Sequence, residues 1–213
     1  MSLMLFCRAI HVWIVLIKHR VKRKPAWGTC AGLIFLAESA NRTKRGGQDL
    51  IGGLDVRVNR NHFGRQTESF ITDLDLPFLS QIEASPAPYP GIFIRAPIVE
   101  KLLPTVTGEQ VEESQREETV TAPSRTPQDS HASKLVNAQV EIMARLPNRT
   151  TRLPAEASKL LIDNEAGDII AVKQGNVFGT SFHPELTQDS RIHVWWLRQV
   201  IEAVQARREE ANI

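Results

Sequence analysis

The chain has 213 residues, of which 42% are hydrophobic, and a formal net charge of +2. This length supports one substantial core, and so small a charge does not by itself indicate nucleic-acid binding. The two cysteines exclude a disulfide scaffold and fit a reducing, cytoplasmic compartment, and the six scattered histidines lack the short spacings of a zinc site.

Residues 1–20 form a divergent N-terminal segment. Two apolar runs, 3–6 and 9–17, are interrupted by Arg8 and followed by a basic run over 18–24. The uninterrupted apolar stretch is well short of the about 20 residues that span a membrane, and its basic flank lies on the wrong side for a signal peptide. We therefore expect no membrane attachment. The segment is interpreted as a buried strand or helix, or as an unnatural start to the chain.

Seven short runs predict β-strands once the regular pattern begins at Val21. In one of them Leu54, Val56 and Val58 alternate with polar residues, which is the period-two pattern of a half-buried strand. The predicted strands cover 25–28, 54–58, 69–71, 91–94, 140–143, 169–173 and 177–182. The last two flank a short polar turn and so predict a hairpin.

Two segments predict helices. Residues 31–40 have the small and apolar content of a packed helix, and a longer helix follows the cap Asp189-Ser190. The apolar side of this second helix predicts core packing. Residues 208–213 are interpreted as a solvated tail. Loops are expected between the glycine pairs at 46–47 and 52–53, and a turn at 63–66.

The composition changes over residues 105–134. This stretch has no aromatic residue, and five glutamates fall within 109–118. Such a sequence buries too little apolar surface to offset the entropy lost on ordering. We therefore expect a flexible acidic insertion on the surface, with a regulatory or docking role as the less favoured alternative.

Cys30 and His183 have the sequence context of a nucleophile and its base. Gly28 and Gly32 flank Cys30 in a G-x-nucleophile-x-G elbow, in which a strand turns sharply into a helix whose N-terminus favours the thiolate. In an extended segment His183 and Glu185 share a face, so the carboxylate can orient the imidazole. A lone cysteine is more often a small buried residue, but the elbow, the His-x-Glu and their chain order together favour catalysis.

Four motifs in order resemble the glutaminase subunit of pyridoxal 5'-phosphate synthase, a class I glutamine amidotransferase. They are Trp27-Gly28-Thr29-Cys30-Ala31-Gly32-Leu33-Ile34, Arg60-Asn61-His62-Phe63-Gly64-Arg65-Gln66, Phe93-Ile94-Arg95-Ala96-Pro97 and Gly179-Thr180-Ser181-Phe182-His183-Pro184-Glu185-Leu186-Thr187. The resemblance covers 21–207, and the acidic insertion is similar to that of the fungal branch. It implies a three-layer α/β domain of the flavodoxin-like type.

The resemblance also implies an activity. L-Glutamine would be hydrolysed to L-glutamate and ammonia by Cys30, His183 and Glu185, and the ammonia would pass to a partner synthase subunit. Pyridoxal 5'-phosphate would be the product of that complex, and no cofactor is expected. The family positions that hold glutamine correspond to Arg60 and to Ile94 with Arg95. The backbone N–H of Ala31 is the expected oxyanion donor.

The sequence departs from the family before Cys30. Family members carry a Leu-Gln-Gly turn and a Gly-Gly-Glu-Ser loop that supplies an oxyanion N–H, and neither motif occurs there. We therefore expect an N-terminally truncated or divergent member that lacks the first strands of the sheet. One oxyanion donor contributes about 10²-fold or more to rate, so two alternatives stay open. One is a catalytically impaired docking or regulatory subunit, and the other is an amidotransferase serving another acceptor.

Overall fold

The computed structural model describes residues 24–42, 48–60, 69–106, 108–123, 133–135, 137–146 and 168–211. Ten strands and three α-helices lie in these ranges. The strands are β1 (Ala26–Thr29), β2 (Ala37–Asn41), β3 (Leu54–Asn59), β4 (Ser69–Leu74), β5 (Tyr89–Ile94), β6 (Ile98–Leu102), β7 (Thr119–Thr121), β8 (Val140–Arg145), β9 (Ile169–Gln174) and β10 (Val177–Thr180). The helices are α1 (Ala31–Leu36), α2 (Val111–Ser114) and α3 (Arg191–Ala211), with 3-10 turns at Pro77–Gln81 and Pro184–Leu186.

The main sheet has eight strands and is mixed. Its order is β1-β10-β9-β6-β3-β2-β7, with β8 also paired to β9, while β4 and β5 form a separate antiparallel pair. The pairs β1–β10 and β2–β3 are parallel. All seven predicted strands are confirmed, including the hairpin of β9 and β10, in which Val177 lies opposite Gln174.

Helices cover both faces of the sheet. Phe178 of β10 packs with Ile192 and Trp195 of α3 in one hydrophobic cluster. Val177, the preceding residue, belongs to a second cluster with Leu33 of α1. Because successive side chains of a strand point to opposite faces, the sheet is the middle of three layers. No helix among the described residues is long and apolar enough to cross a membrane.

The helix predicted over 31–40 is wrong in its second half. Helix α1 ends at Leu36, and Ala37 is extended with φ −69° and ψ 148°. Residues 37–41 form β2, which is fully buried from Ala37 to Ala40 and paired to both β3 and β7. Pairing on two edges satisfies the backbone of this buried segment, and tertiary contacts therefore override its helical composition.

Residues 108–123 do not form the flexible insertion predicted over 105–134. They contain α2 and the edge strand β7, which pairs with β2 through Ser39 opposite Thr121. Buried Glu113 accepts hydrogen bonds at 2.6 Å from both Ser39 Oγ and Arg57 Nη1. The acidic composition misled the prediction because one of these glutamates is an internal ion-pair partner. The stretch 124–132 lies outside the described residues.

Four further predictions concern the two ends of α3 and two segments outside the described ranges. Helix α3 continues to Ala211, so residues 208–211 are helical and not a free tail. At the other end of the helix, the carboxylate of Asp189 accepts the Arg191 backbone N–H at 3.0 Å, as expected for a cap. Residues 1–20 and the predicted turn at 63–66 lie outside the described residues.

The buried ion pair predicts a pH-dependent contribution to stability. Burial acts to raise the pKa of Glu113, but hydrogen bonds from Ser39, Arg57 and Arg116 outweigh it and hold that pKa below the ordinary value. Glu113→Gln should therefore lower the free energy of unfolding by about 3 kcal/mol at pH 7, as measured by urea denaturation. A carboxyl group whose pKa is lowered by folding stabilises the folded state at pH values above its unfolded pKa of about 4.3. The difference in stability between wild type and Glu113→Gln should therefore shrink as the pH falls below this value.

Glu112→Gln is the matched control, since Glu112 is the exposed neighbour on the same helix. Equal stability of the two variants at pH 7 would contradict a role for the Glu113–Arg57 pair.

Candidate active site

A strained turn presents Cys30 between β1 and α1. Its backbone has φ 46° and ψ −104°, a conformation that residues other than glycine rarely adopt. The turn is held because the Cys30 N–H donates to the Thr180 carbonyl at 2.8 Å, extending the parallel pairing of β1 with β10. Strain of this kind persists only where the surroundings enforce it, and it is common at functional sites.

The pairing of β1 with β10 brings the second half of the site to the same edge. Thr29 lies opposite Thr180, so Cys30 and the segment 181–183 leave the sheet side by side. The sequence places His183 only three residues beyond the end of β10. The expected neighbourhood of cysteine and histidine thus follows from the strand register.

Strand β5 contacts both Cys30 and His183 through the edge that faces away from β4. The Ile92 carbonyl accepts the His183 backbone N–H at 2.9 Å, and the Ile94 carbonyl lies 3.9 Å from Cys30 Sγ as its hydrogen-bond acceptor. Carbonyls two residues apart on a strand point the same way and are about 6.6 Å apart. The strand therefore aligns the cysteine and the histidine against one row of acceptors, while its other edge pairs with β4.

His183 and Glu185 form a close pair. His183 Nδ1 lies 2.7 Å from Glu185 Oε1. A carboxylate at Nδ1 favours the tautomer protonated there, which leaves Nε2 free to accept a proton. The side chain of His183 is 19% exposed and that of Glu185 49%, so the pair faces the solvent-accessible side of the site.

The surroundings of Cys30 favour the neutral thiol. Burial is the main cause that raises the pKa of Cys30, and the negative charge of Glu185 adds to it. A hydrogen bond from the Ala31 N–H and the positive charge of Arg95 act in the opposite direction but do not outweigh burial. Cys30 is therefore a half-buried thiol beside groups that stabilise its anion, and its ionisation requires a proton acceptor.

The structure brings together six of the seven residues predicted for the site. Cys30, Ala31, Ile94, Arg95, His183 and Glu185 are linked by the contacts above. Arg95 leaves β5 with φ 45°, which turns the chain sharply next to Cys30. Two residues to which sequence reasoning assigned no role contact this group through backbone carbonyls: Ile92 accepts from the His183 N–H, and Thr180 accepts from the Cys30 N–H. Trp27, also without an assigned role, is joined to them by its hydrogen bond to Thr180.

Arg60 lies at the border of this group. Asn59 pairs with Ile98, so the register places Arg60 next to Pro97, two residues after Arg95. Arg60 is 8% exposed, and burial lowers its pKa. Its Nη atoms donate to Gln48 at 3.3 and 3.2 Å, whereas its Nε is buried with no hydrogen-bond partner among the described residues.

The described residues contain no candidate metal site. No group of three or more His, Cys, Asp or Glu side chains is placed there to hold an ion. The described site contains a thiol, an imidazole–carboxylate pair and two arginines.

The raised pKa of Cys30 predicts slow alkylation at neutral pH. The rate of reaction with iodoacetamide should still be rising at pH 8.5, because burial keeps the thiol protonated. Arg95→Gln should slow alkylation at pH 8 by several-fold, because it removes a positive charge that favours the thiolate. Cys30→Ser gives the background from Cys7, and Arg207→Gln on exposed α3 is the control for loss of an arginine. A titration midpoint below pH 7 would contradict this description of the thiol.

Comparison with known proteins places these motifs in one family. A probable pyridoxal 5'-phosphate synthase subunit PDX2 of Arabidopsis thaliana is 41% identical over 187 residues, covering 85% of this chain and 60% of the relative. A pyridoxal 5'-phosphate synthase subunit PdxT of Leifsonia xyli is 35% identical over 176 residues, covering 83% of this chain and 60% of the relative. An uncharacterised glutaminase of Schizosaccharomyces pombe is 29% identical over 187 residues, covering 87% and 59%. This chain thus spans less than two thirds of the length of these relatives.

A crystal structure of a glutamine amidotransferase superposes with a TM-score of 0.51 at 29% identity, covering 86% of this chain and 66% of the other. This similarity confirms the expected α/β, flavodoxin-like amidotransferase fold. The family model for the SNO glutamine amidotransferases matches residues 11–126 and 121–202. The chain therefore belongs to the SNO glutamine amidotransferase family.

Proposed function

We propose that this chain hydrolyses L-glutamine to L-glutamate and ammonia through Cys30, His183 and Glu185. The observation that carries the proposal is the shared edge of β5, whose carbonyls at Ile92 and Ile94 hold the His183 backbone and the Cys30 thiol on one side. Family membership supports the same chemistry, and the contact between His183 and Glu185 supplies a base that is oriented by a carboxylate.

In the first half of the reaction Cys30 is the nucleophile. His183 Nε2 accepts the thiol proton, and the thiolate attacks the side-chain amide carbon of glutamine. The developing oxyanion accepts a hydrogen bond from the Ala31 N–H, which already lies close enough to Cys30 to favour its anion. The tetrahedral intermediate collapses as protonated His183 donates its proton to the departing ammonia, leaving a glutamyl thioester on Cys30.

In the second half water replaces ammonia. His183 accepts a proton from water, and the hydroxide attacks the thioester carbon. Collapse of this intermediate breaks the carbon–sulfur bond, and His183 returns the proton to Cys30 as glutamate leaves. The carboxylate of Glu185 stabilises the imidazolium that forms in each half.

Two arginines and one backbone segment are proposed to hold glutamine. Arg95 is exposed beside Cys30 and can pair with the substrate α-carboxylate, while the Ile94–Arg95 backbone lines the site. Arg60 is buried with an unpaired Nε–H, which is suited to a charge-assisted hydrogen bond to a carboxylate.

The acceptor of the ammonia is proposed to be a pyridoxal 5'-phosphate synthase subunit in the cytoplasm. The relatives from Arabidopsis and Leifsonia are named as subunits of that synthase, which supports a hetero-oligomeric complex. Pyridoxal 5'-phosphate would then be made on the partner. The amidotransferase chain itself would need no cofactor, and neither nucleic acid nor a membrane would take part.

Removing the nucleophile or its base should abolish ammonia release. Cys30→Ala and His183→Ala should lower glutaminase kcat by at least about 10³-fold, and Glu185→Gln by about 10²-fold because the imidazole loses its orientation. Ammonia would be measured with and without the synthase subunit, and Glu202→Gln on exposed α3 serves as the carboxylate control. Wild-type binding to the synthase without glutamine turnover would reject the enzyme and support a docking subunit. Turnover without synthase binding would point to another acceptor.

Arg60→Gln should mainly weaken substrate binding. We expect KM for glutamine to rise by about tenfold with a smaller change in kcat, because the lost interaction is with an unreactive part of the substrate. Steady-state kinetics would measure KM and kcat for Arg60→Gln, with Arg207→Gln as the control. An unchanged KM would remove Arg60 from the site.

A further inference from the structure

We propose that Trp27 and Thr180 are positioning residues, which hold His183 in register with Cys30 through a hydrogen bond across β1 and β10. The proposal rests on the function proposed above, because it concerns the pairing of these two catalytic groups. Neither side chain belongs to the nucleophile, base or substrate set.

Thr180 joins the two halves of the site through three contacts. Its backbone carbonyl accepts the Cys30 N–H at 2.8 Å. Its Oγ1 accepts the indole N–H of Trp27 at 3.3 Å and donates to the Phe182 carbonyl at 3.4 Å. The residue is completely buried, so water does not compete for these bonds. One side chain therefore ties the turn before His183 to the strand before Cys30.

The geometry of the strands makes this bond possible. In the parallel register Trp27 lies opposite Phe178, and Phe178 and Thr180, two residues apart, share one face of β10. The indole therefore lies on the same face as the Thr180 side chain and reaches it from two residues away. Trp27 precedes Cys30 by three residues, and Thr180 precedes His183 by three. The bond therefore joins equivalent points of the two segments that carry the reacting groups.

The indole is fixed in turn by helix α3. Its ring centroid is 5.5 Å from Phe178, 5.3 Å from His193 and 6.0 Å from Trp196. Packing on three rings restricts the rotamer of Trp27, and thus the direction of its N–H. The hydroxyl of Thr180 is then restricted to donating toward Phe182, since its acceptor side faces the indole. The result is a continuous path from the α3 core to the turn that carries His183.

Alkylation of Cys30 at pH 8 tests the proposal without requiring glutamine turnover. Trp27→Phe removes the N–H and keeps an aromatic ring, and Thr180→Val removes the hydroxyl at nearly constant shape. Each should slow alkylation by iodoacetamide, and glutaminase kcat where present, by about tenfold with little change in KM, because a small displacement of the base weakens proton transfer. The double variant should be no slower than Thr180→Val alone, because Thr180→Val already removes the bond that Trp27→Phe breaks.

Two variants separate positioning from general stability. Thr180→Ser keeps the hydroxyl and should react at nearly the wild-type rate. Phe78→Leu alters a ring of the same aromatic cluster, packed on Phe178 and Trp195, and should do so as well. If Thr180→Val does not fold, Trp27→Phe and Thr180→Ser still decide the question. Melting temperatures would be recorded for all variants.

The His183→Ala variant distinguishes failure of this proposal from failure of the proposed function. If His183→Ala is slow and folded Trp27→Phe and Thr180→Val react at the wild-type rate, the positioning role is rejected while the catalytic pair stands. If His183→Ala itself reacts at the wild-type rate, His183 is not the base and both proposals are rejected. Slow reaction of folded Phe78→Leu or Thr180→Ser would also overturn the role, because neither change removes the bond between Trp27 and Thr180.

Discussion

The close packing of α1 against the sheet is the constraint on which the site depends. Gly28 and Gly179 lie directly opposite each other in β1 and β10. A Cβ on Gly28 would clash with the backbone carbon of Gly32, and one on Gly179 would lie 2.6 Å from Leu33 Cδ1. The backbone of Gly32 cannot move aside as a side chain can, so glycine is required at position 28 for the helix to begin immediately after β1. This close approach is what produces the strained turn at Cys30.

The same packing places the thiol of Cys30 beside the Ala31 N–H and Arg95, and also raises its pKa. Burial stabilises the neutral form, while the Ala31 N–H and Arg95 provide sites where negative charge is favoured. An arrangement of this kind holds little charge at rest and stabilises more of it as charge develops in the reaction. Reactivity then depends on how well His183 is placed to take the proton, and so on the strands that carry it.

Sequence patterns predicted the structure of segments whose conformation depends on neighbouring residues. They failed for segments whose conformation depends on contacts with distant parts of the chain. Alternating residues identified β3, and flanking glycines identified the turn at Cys30, because these signals depend on neighbours in sequence. The end of α1 at Leu36 was missed because burial between β3 and β7 makes the next residues a strand. The ordered part of the acidic stretch was missed because Arg57, 56 residues away, pairs with Glu113. The contacts of Ile92 use a backbone carbonyl, which every residue has, so no side-chain pattern could reveal them.

The two carbonyls of β5 that contact the site restrict insertions and deletions in that strand. Because alternate carbonyls point to opposite edges, those of Ile92 and Ile94 face the site while those between face β4. Replacing a side chain in β5 leaves this arrangement intact, whereas inserting or deleting one residue would exchange the two edges and point the wrong carbonyls at the site. The strand can therefore vary in its side chains much more readily than in its length, because the two-residue step from Ile92 to Ile94 sets the spacing between the His183 backbone and the Cys30 thiol.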